Sequence, residues 1–141
     1  MAIEGDEIAL SNYLNKWGMK VCPIDRSLKI LGQRYVLQIM RNMILLKQNR
    51  FISFLNSIEG ISTKTLSIKL HQLEKYGLVE RKVIPTKPTH TEYYPTEKGM
   101  AVQRILKEVA SFSLEYEPEM IFVSESAKCN MESFLGVTGT E

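Results

Sequence analysis

Cysteine and histidine are scarce in this chain of 141 residues. Its two cysteines, Cys22 and Cys129, are too few and too far apart to form a disulfide framework or a zinc site. The two histidines, His71 and His90, lie in no pattern typical of catalysis, and the sequence lacks a glycine-rich phosphate loop and a nucleophile–base arrangement. These absences predict that the protein is not an enzyme and uses no metal or other cofactor.

Long apolar runs are also absent. No stretch approaches the roughly 20 apolar residues that a membrane span requires. The N-terminus, residues 1–7, is acidic and lacks the pattern of a signal peptide. The hydrophobic fraction of 44% and the charged fraction of 24% are instead those of a folded protein with a hydrophobic core. We therefore expect a cytoplasmic protein that does not have a membrane as a partner.

Acidic residues are few in the middle of the chain. Residues 22–90 carry a net charge of +8, whereas residues 1–21 and 91–141 carry −1 and −5, so the overall charge of +2 hides an asymmetry. A basic centre is typical of a surface that binds phosphates. The charge count alone does not show which of these side chains share a face.

The segment from Ser62 to Tyr76, the central helix, is predicted to be helical with both ends marked in the sequence. Ser62 is a typical N-cap, because its hydroxyl can accept a hydrogen bond from a backbone N–H of the first turn. Ile61 and Leu66 have the spacing of a hydrophobic staple, and Gly77 stands where a left-handed C-terminal cap is expected. Three leucines on one side should point into the core: Leu66, Leu70 and Leu73.

The opposite side of the central helix carries groups that suit phosphates and base edges. Its predicted members are Lys64, Ile68, His71, Gln72 and Lys75, with Ser67 and Lys69 on the flanks. A surface of this kind fits DNA, but a charged helical face is just as typical of simple exposure to solvent.

Several helices are predicted to precede the central helix. Phe51–Ile58 has apolar residues spaced to pack on it, and the turn Glu59–Ile61 contains glycine, as in a helix–turn–helix. Gln33–Leu46 has the broad apolar stripe of a buried core helix. Residues 1–21 and 22–32 each fit a short amphipathic helix.

Two strand-like runs follow the central helix. Leu78–Ile84 is rich in β-branched residues and Glu92–Pro95 returns beside it, which predicts an antiparallel hairpin. Prolines stiffen its tip, where Lys87 and His90 are expected to be exposed for a contact with phosphate or the minor groove; a solvated tip without such a contact is the alternative. The predicted fold class is mainly α with a small antiparallel β hairpin, a winged helix–turn–helix.

The last part of the chain begins with another capped helix. Thr96 is a typical N-cap, Glu97 suits the positive end of the helix, and an apolar stripe continues to about Leu114. In the acidic tail, Met120–Val123 is interpreted as an added strand and Ser126–Leu135 as a short helix.

Seven motifs occur in a specific order along the chain, although each is weak alone. They are Cys22-Pro23 with Leu28 and Gly32, Gln33-Arg34-Tyr35, Arg50-Phe51, Gly60–Ser67, Leu70 with Leu73 and Glu74, Gly77–Arg81 and Tyr93–Gly99. In this order they resemble the HxlR-type branch of winged helix–turn–helix regulators, relatives of the MarR group. The resemblance implies a cytoplasmic DNA-binding transcription factor that is a homodimer through its N-terminal and last long helices. It suggests an N-terminal extension at 1–21, a DNA-binding and dimerisation domain at 22–114 and an acidic extension at 115–141.

The resemblance also implies which residues contact DNA. It places Lys64, Thr65 and Ser67 in the major groove and Arg50 on a phosphate, with the hairpin as the wing. With the outer side of the central helix and the wing tip, the predicted DNA-binding residues are Arg50, Ser62, Thr63, Lys64, Thr65, Ser67, Ile68, His71, Lys75, Lys87 and His90.

Three positions depart from the family pattern. Ile68 stands where a polar residue is usual; it can contact a thymine methyl group, or be partly buried if the helix is rotated. His71 replaces a basic residue, so its charge depends on pH. Tyr35 stands where tryptophan is usual, which we interpret as a packing change of little functional weight.

Cys22 has two interpretations. In the family that the chain resembles, many members carry a cysteine at this place, and some use it to sense oxidants or electrophiles. A thiol at a helix N-terminus and near Arg26 can be reactive, whereas an inert, buried cysteine is the alternative. An oxidant or a small molecule is therefore a candidate effector.

The predicted function is sequence-specific regulation of transcription by a homodimer on double-stranded DNA. Two central helices would enter successive major grooves of a pseudo-palindromic site. The alternative is a winged-helix module that binds protein and not DNA, which the charge of the central segment argues against.

Overall fold

Helices dominate the computed structural model, which describes residues 3–124 and Ala127. In chain order its elements are α1 (Ile3–Lys16), α2 (Pro23–Leu31), α3 (Val36–Ile44), α4 (Phe51–Ser57), α5 (Thr63–Lys75), β1 (Val79–Ile84), β2 (His90–Pro95), α6 (Glu97–Met100), α7 (Val102–Tyr116) and α8 (Pro118–Ile121). The two strands form one antiparallel sheet. The predicted fold class, mainly α with a β hairpin behind a helix–turn–helix, is confirmed.

The core lies around α3 and the inner side of α5. Val36, Ile39 and Met40 of α3 have no exposed surface, and α4 adds the fully buried Phe54. The three leucines of α5 are at most 1% exposed: Leu66, Leu70 and Leu73. Both the buried core helix and the leucine side of the central helix are therefore confirmed, because apolar periodicity places these side chains away from water.

Both predicted caps of α5 are present. The hydroxyl Oγ of Ser62 accepts a hydrogen bond from the backbone N–H of Thr65 at 3.1 Å. At the other end Gly77 has φ +77°, and the backbone N–H of Leu78 donates to the carbonyl of Leu73 at 2.9 Å. This is a Schellman ending, which needs a left-handed residue and so favours glycine.

The hairpin has a third, short partner that the sequence does not predict. β1 pairs with β2 so that Val79 lies opposite Pro95. On the other edge of β2, the backbone N–H of Tyr93 donates to the carbonyl of Asn49 at 2.8 Å, and Arg50 forms a bridge with Glu92. The connection between α3 and α4 therefore extends the sheet and fixes the hairpin to the helices.

The predicted last long helix is divided into two. Thr96 caps its start, since its Oγ1 accepts from the N–H of Gly99 at 3.0 Å, but Ala101 interrupts the helix between α6 and α7. A Cβ on Gly99 would lie 2.0 Å from the carbonyl oxygen of Leu78. Glycine thus allows α6 to approach the start of the hairpin.

The tail differs from its prediction. Residues interpreted as a strand at Met120–Val123 instead belong partly to α8, a helical turn that begins at Pro118, where proline is favoured because its fixed φ suits the first helical position. The predicted helix at Ser126–Leu135 lies, apart from Ala127, outside the described residues.

Only part of the apolar stripe predicted for the last helix packs on the core of the chain. Val102 is buried and Leu106 packs against the core, whereas four further apolar residues of α7 are exposed, two of them to 65%. These four, the α7 stripe, are Ile105, Val109, Phe112 and Tyr116. None of the helices within residues 3–124 is long and apolar enough to cross a membrane.

Candidate nucleic-acid interface

The outer face of α5 is exposed to solvent, because the buried leucines on the opposite side of the helix hold that side against the core. It comprises Lys64, Ser67, Ile68, His71 and Lys75, all of them exposed. Ile68 is 47% exposed, so the helix is not rotated to bury it. The only acid of α5, Glu74, lies in the last turn. The outer face therefore offers two lysines, an imidazole, a hydroxyl and one apolar side chain to a partner.

At the start of α5, two of the predicted contact residues bind each other. The Oγ of Ser62 donates to Oγ1 of Thr65 at 2.9 Å while accepting from its backbone N–H. These hydroxyls hold the first turn of the helix. Thr63 and Lys64, which are exposed beside them, are left to face a partner.

Two lysines fix α5 to its surroundings. The Nζ of Lys69 donates to Oε1 of Gln33 at 2.7 Å, and Nε2 of Gln33 donates to the carbonyl of Lys29 at the same distance. The Nζ of Lys98 donates to the carbonyl of Tyr76 at 2.7 Å at the end of the helix. Lys69 therefore faces α2 and is not part of the outer face.

Gln72 was placed on the outer side of the central helix by periodicity, and this is wrong. Its side chain is half-buried, and its Oε1 is buried without a hydrogen-bond partner in the part of the chain that the structure describes. The helix turns about 100° per residue, so a position at the edge of the outer side can be covered by neighbouring elements that local sequence does not reveal.

The predicted phosphate contact Arg50 lies where the α3–α4 connection meets β2. It is half-buried, and its positive charge is one of the causes that hold the pKa of Glu92 below its ordinary value. The largest cause is the hydrogen bond that Glu92 receives from Tyr94, followed by the one from His90. The hydrogen bond between Tyr94 and Glu92 also raises the pKa of Tyr94.

The two predicted wing-tip residues differ in their surroundings. Lys87 is exposed and makes no hydrogen bond or ion pair within residues 3–124. His90 is held inside the wing, with Nε2 at 3.0 Å from Oε2 of Glu92 and Nδ1 at 3.1 Å from Oγ1 of Thr86.

Sequence reasoning missed two cations on β1. Arg81 and Lys82 are both exposed, and Nζ of Lys82 lies 5.2 Å from the ring centroid of Tyr94. The sequence predicts that both residues lie in a strand, where successive side chains point to opposite faces. It does not predict which face meets a partner. The structure adds them to the basic surface of the hairpin.

Cys22 lies at the N-cap of α2, where its thiol makes no capping bond. It is half-buried and free. A recess beside it is lined by Lys20, Arg26 and Lys29, with Asp25 as the acid. No group of three or more histidine, cysteine, aspartate or glutamate side chains that could hold a metal ion occurs among the described residues.

Comparison with known proteins shows the family to which the chain is related. A family model described as HxlR-like helix-turn-helix matches residues 30–120. The HTH-type transcriptional regulator YodB of Bacillus subtilis is 31% identical over 100 residues, which are 70% of this chain and 88% of YodB. An HTH-type transcriptional regulator of Synechocystis sp. is 34% identical over 86 residues, which are 61% of this chain and 63% of that protein, slightly less than two thirds of its length.

Solved structures agree in fold. The reduced form of YodB superposes with a TM-score of 0.58 at 31% identity, covering 70% of this chain and 97% of that one. A structure from Porphyromonas gingivalis W83 described as a MarR-family regulator superposes with a TM-score of 0.60 at 31% identity, covering 69% and 94%.

Proposed function

Because this chain belongs to the HxlR-like helix-turn-helix family and is a DNA-binding transcriptional regulator, we propose that it binds double-stranded DNA as a cytoplasmic homodimer. Residues 22–114 are the DNA-binding and dimerisation domain, α5 is the recognition helix in the major groove, and the β1–β2 hairpin is the wing. The observation that carries this proposal is the outer face of α5. It is exposed because the leucines on the other side of the helix are buried, and it is positively charged because it carries Lys64 and Lys75.

Two kinds of contact divide the proposed DNA-binding residues. Lys64, Ser67 and His71 have donors that suit base edges, and Ile68 is an exposed apolar side chain that suits a thymine methyl group. The phosphate contacts come from cations at the ends of the recognition surface: Arg50, Lys75 and Lys87. Such contacts carry no sequence information but fix the register of the protein on the duplex.

The proposed dimer uses apolar surface that the single chain leaves exposed. The α7 stripe is one part, and Leu10 and Tyr13 of α1 with Trp17 just after it are the other; these three residues are 46–60% exposed. Exposed apolar residues grouped on a helix are typical of a protein–protein interface. A two-fold axis through it would place two copies of α5 about 34–36 Å apart, in successive major grooves.

An oxidant is one candidate effector, acting at Cys22. The thiol is half-buried at a helix N-terminus, beside a recess that Lys20, Arg26 and Lys29 line. The solved YodB structure is of a reduced form, which supports a redox effector for this chain.

A small molecule is the second candidate effector. A groove of 310 Å³ between α3 and α7 has apolar walls and two cations, Arg41 and Lys107, and no acid among its lining residues. Nε of Arg41 donates to the fully buried Asn42, whose Nδ2 donates to Gln48, whose Nε2 donates to Ser57 of α4. An apolar organic anion in the groove would thus contact a hydrogen-bonded chain that reaches the helix–turn–helix.

Selection from random DNA with the purified full chain tests the proposal. We expect enrichment of a pseudo-palindrome with half-sites about 10–10.5 base pairs apart, and affinity that falls steeply with salt. Repeating the selection with an oxidant and with an aromatic carboxylate separates the two effectors. No enrichment, together with DNA affinity too weak to measure at low salt, would favour the protein-binding module.

A further inference from the structure

A hydrogen-bonded network runs through the wing from the α3–α4 connection to the tip. His90, Glu92 and Tyr94 alternate along β2, so their side chains share one face of the sheet. Asn49 joins this face from one side and Thr86 from the other. We call these five residues the wing network. The side chains of His90 and Glu92 are only 24% and 21% exposed.

The hydrogens at the Glu92 end can be assigned. The hydroxyl of Tyr94 donates to Oε1 of Glu92 at 2.6 Å and accepts from Nδ2 of Asn49 at 3.0 Å. The hydrogen bonds from Tyr94 and His90 hold the pKa of Glu92 below its ordinary value, so the group is a carboxylate and can only accept. Nε2 of His90, at 3.0 Å from Oε2, therefore carries a hydrogen.

The hydrogens at the tip end can be assigned in the same way. Oγ1 of Thr86 donates to the carbonyl of Pro88 at 3.0 Å. A hydroxyl has one hydrogen, so Oγ1 has only a lone pair left for Nδ1 of His90, 3.1 Å away. Nδ1 must then carry a hydrogen as well. All three contacts exist together only when both ring nitrogens are protonated.

We propose that Glu92 is a positioning residue that holds His90 with a hydrogen on both ring nitrogens, and that the charge and the tip turn of the wing therefore change when one of these protons is lost. The effect on DNA rests on the proposed role of the hairpin as the wing. Glu92 is the acid that contacts His90. Arg50 of the α3–α4 connection and Lys82 of β1 both pair with Glu92 across the sheet, and Lys87 is an exposed cation in the tip.

Loss of the proton forces a choice at Thr86. With Nδ1 neutral and accepting, the Thr86 hydroxyl can donate to His90 or to Pro88, but not to both. Deprotonation thus removes one positive charge from the wing and one hydrogen bond from the network that closes the turn carrying Lys87. Both changes weaken the attraction of the wing for phosphates, so DNA binding should strengthen as the pH falls.

The protonation state is tested without DNA. In the full chain at about pH 6.5, the ¹⁵N shifts of the two His90 ring nitrogens should follow the imidazolium pattern. In Glu92→Gln the His90 pattern should move toward a neutral tautomer. Thr86→Val, which leaves the carboxylate in place, provides a second test and should move it less. A neutral His90 in the wild type, or one indifferent to Glu92→Gln, would overturn the proposal.

The effect on DNA is tested in a background with one histidine. The chain has only His71 and His90, so His71→Gln leaves His90 as its sole imidazole. With a short fluorescein-labelled duplex, we expect this variant to bind about five-fold more tightly at about pH 6 than at about pH 8. The double variant His71→Gln/His90→Gln should lose that dependence.

The outcomes separate the two proposals. Equal pH dependence in the single and double variants, with DNA still bound, would overturn the link between His90 and DNA. Failure of the wild type to bind the duplex at any pH would instead contradict the proposed function, and the ring-nitrogen shifts would remain a test of the imidazolium.

Discussion

The hydroxyl of Tyr35 donates a hydrogen bond of 3.1 Å to the backbone carbonyl of Gly60, in the turn between α4 and α5. Tyr35 immediately precedes α3 and has φ +74°, a left-handed conformation that is uncommon outside glycine. The guanidinium of Arg34 lies 4.7 Å from the centre of its ring. The bond joins the start of α3 to the turn that precedes α5, a contact that the interpretation of Tyr35 as a packing residue does not include.

Replacing Tyr35 by phenylalanine tests this bond. Tyr35→Phe keeps the ring and removes the donor, so we expect the free energy of unfolding to fall by about 1 kcal/mol, measured by urea denaturation. Tyr76→Phe is the matched control, because the side chain of Tyr76 is exposed at the end of α5, outside the proposed dimer interface. Equal effects of the two substitutions would show that the Tyr35–Gly60 bond contributes nothing.

The N-cap of α5 gives a second prediction. Ser62→Ala removes the oxygen that accepts from the N–H of Thr65 and should cost about 1 kcal/mol of stability in thermal unfolding. Thr63→Ala removes a neighbouring hydroxyl that is exposed. If both variants melt at the same temperature, Ser62 does not act as the cap.

Two lysines of the same helix give a third prediction. Lys64→Ala should weaken binding to the selected operator by about 1–3 kcal/mol, measured by fluorescence anisotropy, because Lys64 belongs to the outer face. Lys69→Ala removes the same charge from a side chain bound to Gln33 and should weaken binding much less. The reverse order would place a different side of α5 on DNA.

The wing network predicts how stability depends on pH. Since hydrogen bonds from Tyr94 and His90 lower the pKa of Glu92, the unfolded chain binds a proton at this carboxyl more tightly than the folded chain does. Its stabilising contribution is therefore fully present above about pH 5 and is lost as the pH falls through the lower folded-state pKa. Unfolding measured from about pH 6 to about pH 3 should show a shallower acid loss in Glu92→Gln than in the wild type, whereas Glu80→Gln, an exposed position on β1, should keep the wild-type profile.

The proposed dimer interface can be tested with two acidic substitutions on one helix. Phe112→Glu places a charge in the α7 stripe and should weaken dimerisation at least about ten-fold, because the charge would be desolvated in the interface. Gln103→Glu adds the same charge on α7 outside the stripe and should leave the dimer intact. Sedimentation velocity over a concentration series distinguishes the two, and a monomeric wild type would contradict the dimer itself.

Local chemistry explains which parts of the fold could be predicted. The N-cap at Ser62, the left-handed Gly77 and the buried Leu66–Leu70–Leu73 side are all confirmed, because caps and apolar periodicity act within a few residues of the chain. The same periodicity predicts most of the outer face of α5. It is wrong at Gln72, at the edge of that face, because the helical period does not tell whether another element covers a position.

The amino-acid sequence by itself determined most of the elements, both ends of α5 and the side of that helix that faces water, since these follow from short-range capping, turns and hydrophobic burial. Only the tertiary structure decided which partners meet across long separations. It joins Lys69 to Gln33, Asn49 to Tyr94 and Tyr35 to Gly60. It also leaves the α7 stripe exposed while Val102 of the same helix is buried. These outcomes depend on how the elements pack against one another, and no local pattern in the chain specifies that packing.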